Sequence, residues 1–407
     1  MHAPAKPRFA FATLFAIVFI DLVGFGIVIP LVPFYVERLG AQPELITLII
    51  SLHALSQAIA MPMWGALSDR RGRRPVLLIS MLGHGAAYVL MGFADSLWWL
   101  AVARILSGAT AANLSTAYAY IADITTPEER AGAMGRISAA FGLGFAVGPA
   151  IGGLLAGGTT MADANLVRPA LAAAAFSFAA AAAIWFFLPE TQHAAARAAA
   201  RSETRGLRSD LRRVLERPVI TMMLALGLLV VTFMAVRESI FPLWAHYRLG
   251  FNARELGIAL AYSGLLVSGL QFLGLGRLSA RFGELRLVTA ATVLFAIGWT
   301  GFSLTTTMAA CLIALTAQSF GTALFQSSMQ TLISKRAGPN ERGMVLGVYQ
   351  SSGALARFMG QAVAGTLYAR LGMNAPFLIG AVMMLPALWL ALTIGTRLAA
   401  GPPRTLS

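Results

Sequence analysis

The stretch GALSDRRGRRPVLL, from Gly65 to Leu78, lies between two long apolar segments and carries one acid and four arginines. Its glycines permit a tight turn, Asp69 can accept hydrogen bonds from a neighbouring helix end, and the arginines favour the cytoplasmic face. A related stretch, GRLSARFG, recurs at 276–283. A basic loop with no further role is the alternative, but the spacing of Gly, Asp and Arg argues against it.

The composition is that of an integral membrane protein. Hydrophobic residues make up 57% of the 407 residues, charged residues only 12%, and the mean hydropathy is +0.72. A soluble domain needs charged residues at roughly a quarter of its positions. Apolar segments of about 20 residues can cross a hydrocarbon core of roughly 30 Å as helices. Twelve such spans are predicted, at 9–36, 44–66, 76–93, 97–120, 136–157, 168–188, 218–246, 253–275, 287–305, 309–333, 344–369 and 375–396.

The spans form two groups of six with related sequences. A cytoplasmic linker rich in Arg and Ala, 189–217, separates an amino-terminal half, 1–188, from a carboxy-terminal half, 218–407. Two six-helix halves repeated in parallel are an architecture of secondary transporters, with the binding site between the halves. The fold prediction is therefore an all-α integral membrane protein with twelve transmembrane helices in two six-helix halves. Two further repeats support it: PEERAGAMG (127–135) with PNERGMVLG (339–347), and PFYVERLG (33–40) with PLWAHYRLG (242–250).

The net charge of +14 could suggest nucleic acid, but its distribution indicates a membrane protein. With the amino terminus inside, the cytoplasmic segments hold 23 of the 31 Lys and Arg residues, the external loops hold five, and three lie within spans. This positive-inside bias places both termini in the cytoplasm. The first span shows no small-residue cleavage site, so no cleaved signal peptide is expected. The single cysteine, Cys311, excludes an internal disulfide and a Cys-rich metal site, and no metal or cofactor is predicted.

A glycine-rich stretch, GLGFAVGPAIGG, occupies 142–153 within the fifth span. A nucleotide-binding loop would follow a strand and contain a lysine, and this stretch does neither. Gly144, Gly148 and Gly152 form a face of small residues, and Pro149 can bend the helix. Close packing between membrane helices requires such a face.

Four motifs resemble those of the major facilitator superfamily. The loop signature G-x-L-[SA]-D-R-x-G-R-[RK]-P is matched at every position from Gly65 to Pro75. The 142–153 stretch is similar to the G-x-x-x-G-P-x-x-G-G motif of twelve-span proton-coupled antiporters, a group that includes drug and tetracycline exporters. RILSGATAA (104–112) and DLVGFGIVIPLVP (21–33) are similar to the R-x-x-x-G and acidic first-helix motifs of that group. The resemblance implies the major facilitator fold and transport by rocking of the two halves.

The resemblance also implies a cytoplasmic charge cluster that steadies one of two global states. Asp123 would work with Arg70 and Arg74, and Asp69 would meet the start of span eleven. A solvated salt bridge worth little is the alternative. The conformational residues implied are Gly65, Asp69, Arg70, Gly72, Arg73, Arg74, Asp123, Gly144, Gly148, Pro149 and Gly152.

Five charged residues lie at similar depth within the spans: Asp21, Arg104, Arg237, Glu238 and Arg357. Such residues are costly to insert and are functional candidates by default, with structural ion pairing as the alternative. Arg237 and Glu238 point about 100° apart on a helix, so they are not expected to pair with each other. Burial disfavours a charged carboxylate and a nearby arginine favours it, so movement of a partner can switch its protonation.

Asp21 is the first candidate for proton coupling, partly through the first-helix resemblance. Glu238 is the second, on physical grounds alone, and Arg104 is expected to adjust the charge state of Asp21. Three arginines and two acids leave one surplus positive charge. The site is therefore expected to accept an anionic or zwitterionic amphiphile, while a cationic drug could use either acid as its counter-ion.

Polar residues within other spans suggest the wall of a substrate cavity. A lone intramembrane Gln or Asn can equally bind a neighbouring helix, and a lone His can be structural. The predicted substrate-binding residues are His53, Gln57, Asn113, Arg237, Gln271, Gln326, Gln350, Arg357 and Gln361, with Gln330 close to them in sequence.

The sequence thus predicts a secondary active transporter and not an enzyme: a proton antiporter exporting small amphiphilic drugs, monomeric, in the bacterial inner membrane. A symporter or uniporter for an organic anion or metabolite is one alternative, and a non-transporting membrane receptor or scaffold is another. The chain departs from the tetracycline exporters, which carry acids in spans three and nine. Here GHGAAYVL (83–90) offers Ala87 at the matching position, and span nine contains no acid.

Overall fold

The structure, a computed structural model, describes residues 7–111, 113–158, 163–191, 212, 214–337 and 342–399. Within these residues all regular secondary structure is helical, and a 3-10 turn, Ile29–Leu31, joins the first two α-helices. The helices are α1 Pro7–Val28, α2 Val32–Arg38, α3 Pro43–Arg71, α4 Arg73–Gly92, α5 Leu97–Ala109, α6 Asn113–Ile124, α7 Pro127–Ala156, α8 Val167–Phe187, α9 Pro218–Leu249, α10 Ala253–Leu273, α11 Leu275–Phe282, α12 Glu284–Leu304, α13 Met308–Arg336, α14 Arg342–Leu371 and α15 Ala375–Ala399.

The helices confirm the predicted all-α membrane fold. Among the described residues, nine segments are long and apolar enough to cross a membrane, and each coincides with a predicted span. The other three predicted spans fall on α5 with α6, on α7 and on α14, which are not among these nine. The total of twelve crossings therefore stays a prediction.

The predicted fourth span, 97–120, is interrupted between α5 and α6. The carbonyls freed at the break find side-chain donors: the Trp64 indole Nε1 donates to Ala109 O at 2.5 Å, and the Ser80 hydroxyl donates to Thr110 O at 2.5 Å. Irregular backbone at membrane depth is tolerated where its polar groups are satisfied in this way. The prediction of one continuous helix over 97–120 is therefore wrong between α5 and α6.

Two equivalent glycines set the tight turns of the repeated loop. Gly72 alone separates α3 from α4 and has a φ of +108°, while Gly283 alone separates α11 from α12 and has a φ of +80°. Side chains other than glycine are strained in this region of φ. Because α4 starts at Arg73 and α12 at Glu284, the repeat seen in the sequence also holds for helix starts.

The described residues fall into two compact units, whose bounds differ from those of the predicted halves. The first unit lies within Met1–Thr204 and Ser239–Ser268, and the second within Arg205–Glu238 and Gly269–Ser407. The predicted division at the 189–217 linker stays a prediction.

Glycines of α7 pack against two helices of the first unit. A Cβ at Gly148 would lie 2.7 Å from Gly26 Cα and 2.7 Å from Val23 O, and one at Gly144 would lie 2.6 Å from Leu22 Cβ. On the other side of α7, a Cβ at Gly264 of α10 would lie 2.6 Å from the backbone of α7. Only glycine allows backbones to approach this closely, so the predicted small-residue packing is confirmed.

Candidate functional site

A buried polar network links four helices of the first unit. The Asp21 carboxylate on α1 contacts Nδ1 of His84 on α4 at 3.1 Å, and Nε2 of His84 contacts the Ser107 carbonyl on α5 at 3.0 Å. The Ser107 hydroxyl in turn contacts Nδ1 of His53 on α3 at 3.2 Å. These four residues, here called the Asp21–His84 network, are between 1% and 8% exposed.

Arg104 and Tyr88 border the Asp21–His84 network. Both Asp21 and Arg104 interact electrostatically with Tyr88, whose ring lies 6.1 Å from that of His84 between centroids. One Arg104 amino group donates to Ile50 O at 3.2 Å, while its buried Nε has no hydrogen-bond partner in the described part of the chain. The two first-half residues predicted to act in proton coupling, Asp21 and Arg104, thus lie in one buried region.

Two of these residues were missed by the sequence analysis. His84 and Ser107 each make two contacts in the network, and neither was predicted as a site residue. His84 had a detectable signal, because an ionisable side chain within a membrane span is a functional candidate by default. His53, predicted to bind substrate, lies within the network and is 8% exposed.

The remaining charged residues of the predicted layer lie in the second unit. Arg237 is 9% exposed, and its Nη2 lies 3.9 Å from Glu238 Oε1, so the expectation that these neighbours would not approach each other is wrong. Their long side chains bridge the angle between adjacent positions on the helix. The Glu238 side chain is 46% exposed and also interacts electrostatically with Arg357 on α14. One carboxylate is therefore flanked by two guanidinium groups.

The predicted polar wall is only partly tested by the structure. The Asn113 side chain lies outside the described residues. Gln326 and Gln330 on α13 are exposed, and the partly buried residues are Gln57, Gln271, Gln350 and Gln361. A groove of about 300 Å³ lies between α12 and α15, lined by Leu285, Arg286, Thr289, Ala391, Leu392 and Gly395. It contains none of the predicted substrate residues and does not locate a substrate site.

The repeated loop holds a charge cluster centred on Arg73. Its guanidinium binds Asp69 at 2.5 Å, Asp123 at 3.1 Å and the Ser68 hydroxyl at 3.0 Å. The Glu190 carboxylate, another residue that sequence reasoning missed, accepts from the Arg73 backbone N–H at 2.9 Å and so caps the start of α4. Capping by a carboxylate is favourable because a helix amino terminus carries partial positive charge.

This cluster differs in detail from the one the resemblance implied. Asp123 binds Arg73 and not Arg70 or Arg74; the Arg74 guanidinium instead donates to the Trp185 carbonyl. Arg70 is exposed. The expected contact of Asp69 with the start of span eleven stays a prediction.

The second half carries the same cluster with its charges reversed. Glu284 occupies the position equivalent to Arg73, and it binds Lys335, the equivalent of Asp123, at 2.5 Å. The Ser279 hydroxyl donates to Glu284 at 2.9 Å, as the equivalent Ser68 accepts from Arg73. Both halves thus carry an acid–base pair at this place, but the acid and the base have exchanged positions.

Charged and titratable side chains buried within long apolar helices are typical of polytopic membrane transporters. The sequence matches the profile of the Major Facilitator Superfamily over residues 14–274 and 236–406, and the chain belongs to this family. It is therefore a membrane transporter and not an enzyme.

Several proteins resemble this chain over nearly its whole length. It is 28% identical to Multidrug resistance protein 2 of Bacillus subtilis (strain 168) over 390 residues, covering 94% of each chain. It is 29% identical to the class C tetracycline resistance protein of Escherichia coli, covering 89% of this chain and 91% of the other. Among solved structures, the human organic anion transporter MFSD10 (TETRAN) superposes with a TM-score of 0.72 at 23% identity, covering 96% of this chain and 100% of the other. That last likeness concerns the fold alone.

Proposed function

We propose that this transporter is a proton-coupled antiporter that exports small amphiphilic organic compounds by alternating access. The observation that carries the proposal is Asp21, a carboxylate that is 1% exposed and hydrogen-bonded to a titratable imidazole within the first unit. A buried carboxylate is costly to ionise, which suits it to bind and release a proton. The relatives named for multidrug and tetracycline resistance support export as the direction of transport.

The second unit supplies groups for substrate binding in this proposal. Glu238 lies between Arg237 and Arg357, so this region carries one surplus positive charge. An anionic or zwitterionic amphiphile fits such a surplus, and a cationic compound would use Glu238 as its counter-ion. Polar residues of the same unit, Gln271, Gln326, Gln350 and Gln361, complete the proposed binding surface.

The same surplus favours a second candidate function, symport or uniport of an organic anion. Antiport moves protons against the direction of the substrate, and symport moves them together with it. The pH change inside proteoliposomes on adding substrate outside therefore separates the two functions.

The proposed setting is the bacterial inner membrane, with a monomeric transporter and both termini in the cytoplasm. The positive-inside bias supports the orientation of the termini. Accessibility of single cysteines introduced near each terminus, in a Cys311→Ser background, would test this orientation.

Transport by purified protein in proteoliposomes tests the proposed function. The probes are ethidium, a cationic amphiphile, and fluorescein, an anionic amphiphile, each measured with and without an imposed pH gradient. We expect gradient-driven transport of at least one probe, lost or strongly slowed in Asp21→Asn and reduced in Glu238→Gln and Arg357→Ala. The matched control is Asp95→Asn, the same chemical change at an exposed position between α4 and α5. Unchanged gradient-driven transport in all three site variants would contradict the coupling assignment.

A further inference from the structure

We propose that His84 is a proton-coupling residue that shares a single transported proton with Asp21. The inference deepens the proposed antiport and rests on it for the transport role, but the proton sharing itself follows from the geometry of the Asp21–His84 network.

The hydrogen bonds determine where protons lie in this structure. The Ser107 carbonyl can only accept, so the contact of 3.0 Å to His84 Nε2 requires a hydrogen on that nitrogen. In the neutral imidazole the other nitrogen, Nδ1, is then an acceptor. Its contact of 3.1 Å to Asp21 therefore requires one more proton, either on the carboxyl group or on Nδ1. In both forms the pair holds one shared proton and has no net charge.

Release of that proton weakens the contact between Asp21 and His84 Nδ1. The deprotonated pair would place the Nδ1 lone pair against a carboxylate oxygen, which is repulsive. Asp21 lies on α1 and His84 on α4, so proton release favours separation of these two helices. Arg104 is buried beside Tyr88, which also interacts with Asp21, so a positive charge lies in the same region. The pair thus links protonation to helix position, as an antiporter requires.

Few ionisable groups lie around α4 at the depth of His84. Asp21 comes from α1, His53 from α3 and Arg104 from α5, while Tyr88 is on α4 itself. From α6, Tyr120 donates to Pro189 O and Asp123 binds Arg73. The other ionisable residues on α4 and on the helices that pack against it are Tyr118 on α6 and residues near helix ends: Glu44, Asp69, Arg70 and Arg71 on α3, Arg73 and Arg74 on α4, and Arg168 on α8. At mid-depth, the carboxyl and imidazole groups beside His84 are therefore those of Asp21 and His53.

The second half shows that the scaffold does not need this polar pair. By the repeat, His84 corresponds to Phe295, Tyr88 to Trp299 and Asp21 to Val230. Phe295 and Trp299 are buried and stacked at 5.2 Å between ring centroids, and Val230 is also buried. An apolar core thus fills the equivalent place. A polar pair that is costly to bury and unnecessary for packing indicates a function.

The first arm of the test needs no substrate. The chain has five histidines, and solid-state NMR of 15N-histidine protein in liposomes distinguishes protonated from unprotonated ring nitrogens. The His84 signal is the one missing in His84→Gln, with His193→Gln, in the predicted linker, as the matched control. We expect a signal that keeps its Nε2 hydrogen while Nδ1 titrates, and whose midpoint moves by at least about one pH unit in Asp21→Asn. An unchanged midpoint in Asp21→Asn would overturn the proton sharing.

The second arm measures transport of ethidium and fluorescein. We expect His84→Gln to slow gradient-driven transport at least about tenfold. The double variant Asp21→Val with His84→Phe, which copies the second half, should fold and lose gradient dependence. Retained gradient dependence in either variant overturns the role of His84. If the unmodified protein shows no gradient-driven transport of either probe, the proposed antiport fails for them, while the first arm still decides proton sharing.

Discussion

Replacing Gly148 by alanine is expected to push α1 away from α7. The added Cβ would lie 2.7 Å from Gly26 Cα, whereas carbon atoms in contact prefer about 3.5–4.0 Å. The two helices must therefore separate locally by about 1 Å. Overpacking of this kind costs about 1–3 kcal/mol, while the better helix propensity of alanine returns up to about 1 kcal/mol.

Gly353→Ala on α14 provides a matched control. In the described structure no heavy atom lies within 4 Å of its Cβ position, so only the gain in helix propensity remains. The difference in unfolding free energy between the two variants should equal the overpacking cost, about 1–3 kcal/mol. Thermal unfolding in detergent, followed by tryptophan fluorescence, should give Gly148→Ala the lower melting temperature. Equal or higher thermal stability of Gly148→Ala would refute the close packing of α1 on α7.

The same shift has a functional consequence. Asp21 lies on α1, little more than one turn from Gly26, and its contact with His84 is 3.1 Å. A displacement of α1 by about 1 Å is enough to disturb a hydrogen bond of this length. Gly148→Ala should therefore also reduce gradient-driven transport of ethidium or fluorescein, whereas Gly353→Ala should not.

Three further outcomes are expected. Arg73→Glu and Asp123→Lys should each lower the melting temperature by a few degrees, because each places like charges together, and the double variant should recover at least half of the loss; absence of recovery would exclude a direct pairing. Trp64→Phe should destabilise the protein by about 1–3 kcal/mol, because it removes the hydrogen-bond donor to Ala109 O at the break in span four. Thermal unfolding measures this loss, and Trp389→Phe, on an exposed face, is the control. Arg357→Ala should weaken fluorescein binding about tenfold, roughly 1.4 kcal/mol, with a smaller effect on ethidium; equal effects would argue against a role in charge selection.

Helix positions were largely predictable from the sequence. Apolar runs bounded by proline, glycine and charged residues predicted helix starts such as Pro218 and Ala375, which the structure confirms. The break between α5 and α6 was not predictable, because it is stabilised by donors from Trp64 and Ser80, which are distant in sequence.

The site was less predictable than the fold. Asp21 and Arg104 could be named because charges stand out within apolar runs. The contact of Asp21 with His84 joins residues 63 positions apart, and periodicity carries no information on such pairs. Asp123 was assigned to neighbouring arginines because four arginines lie within the same loop, and only the geometry distinguishes Arg73 from the other three.

The reversed polarity of the Arg73–Asp123 and Glu284–Lys335 pairs bears on the ancestry of the chain. If both halves descend from one ancestral half, one pair was exchanged for its opposite. Reversing the charge of only one member of an Arg–Asp pair leaves two like charges facing each other. The exchange therefore required either a neutral intermediate or a compensating second substitution. The two positions must then have been inherited as a unit, and a hybrid that exchanges only one of them between halves should be selected against.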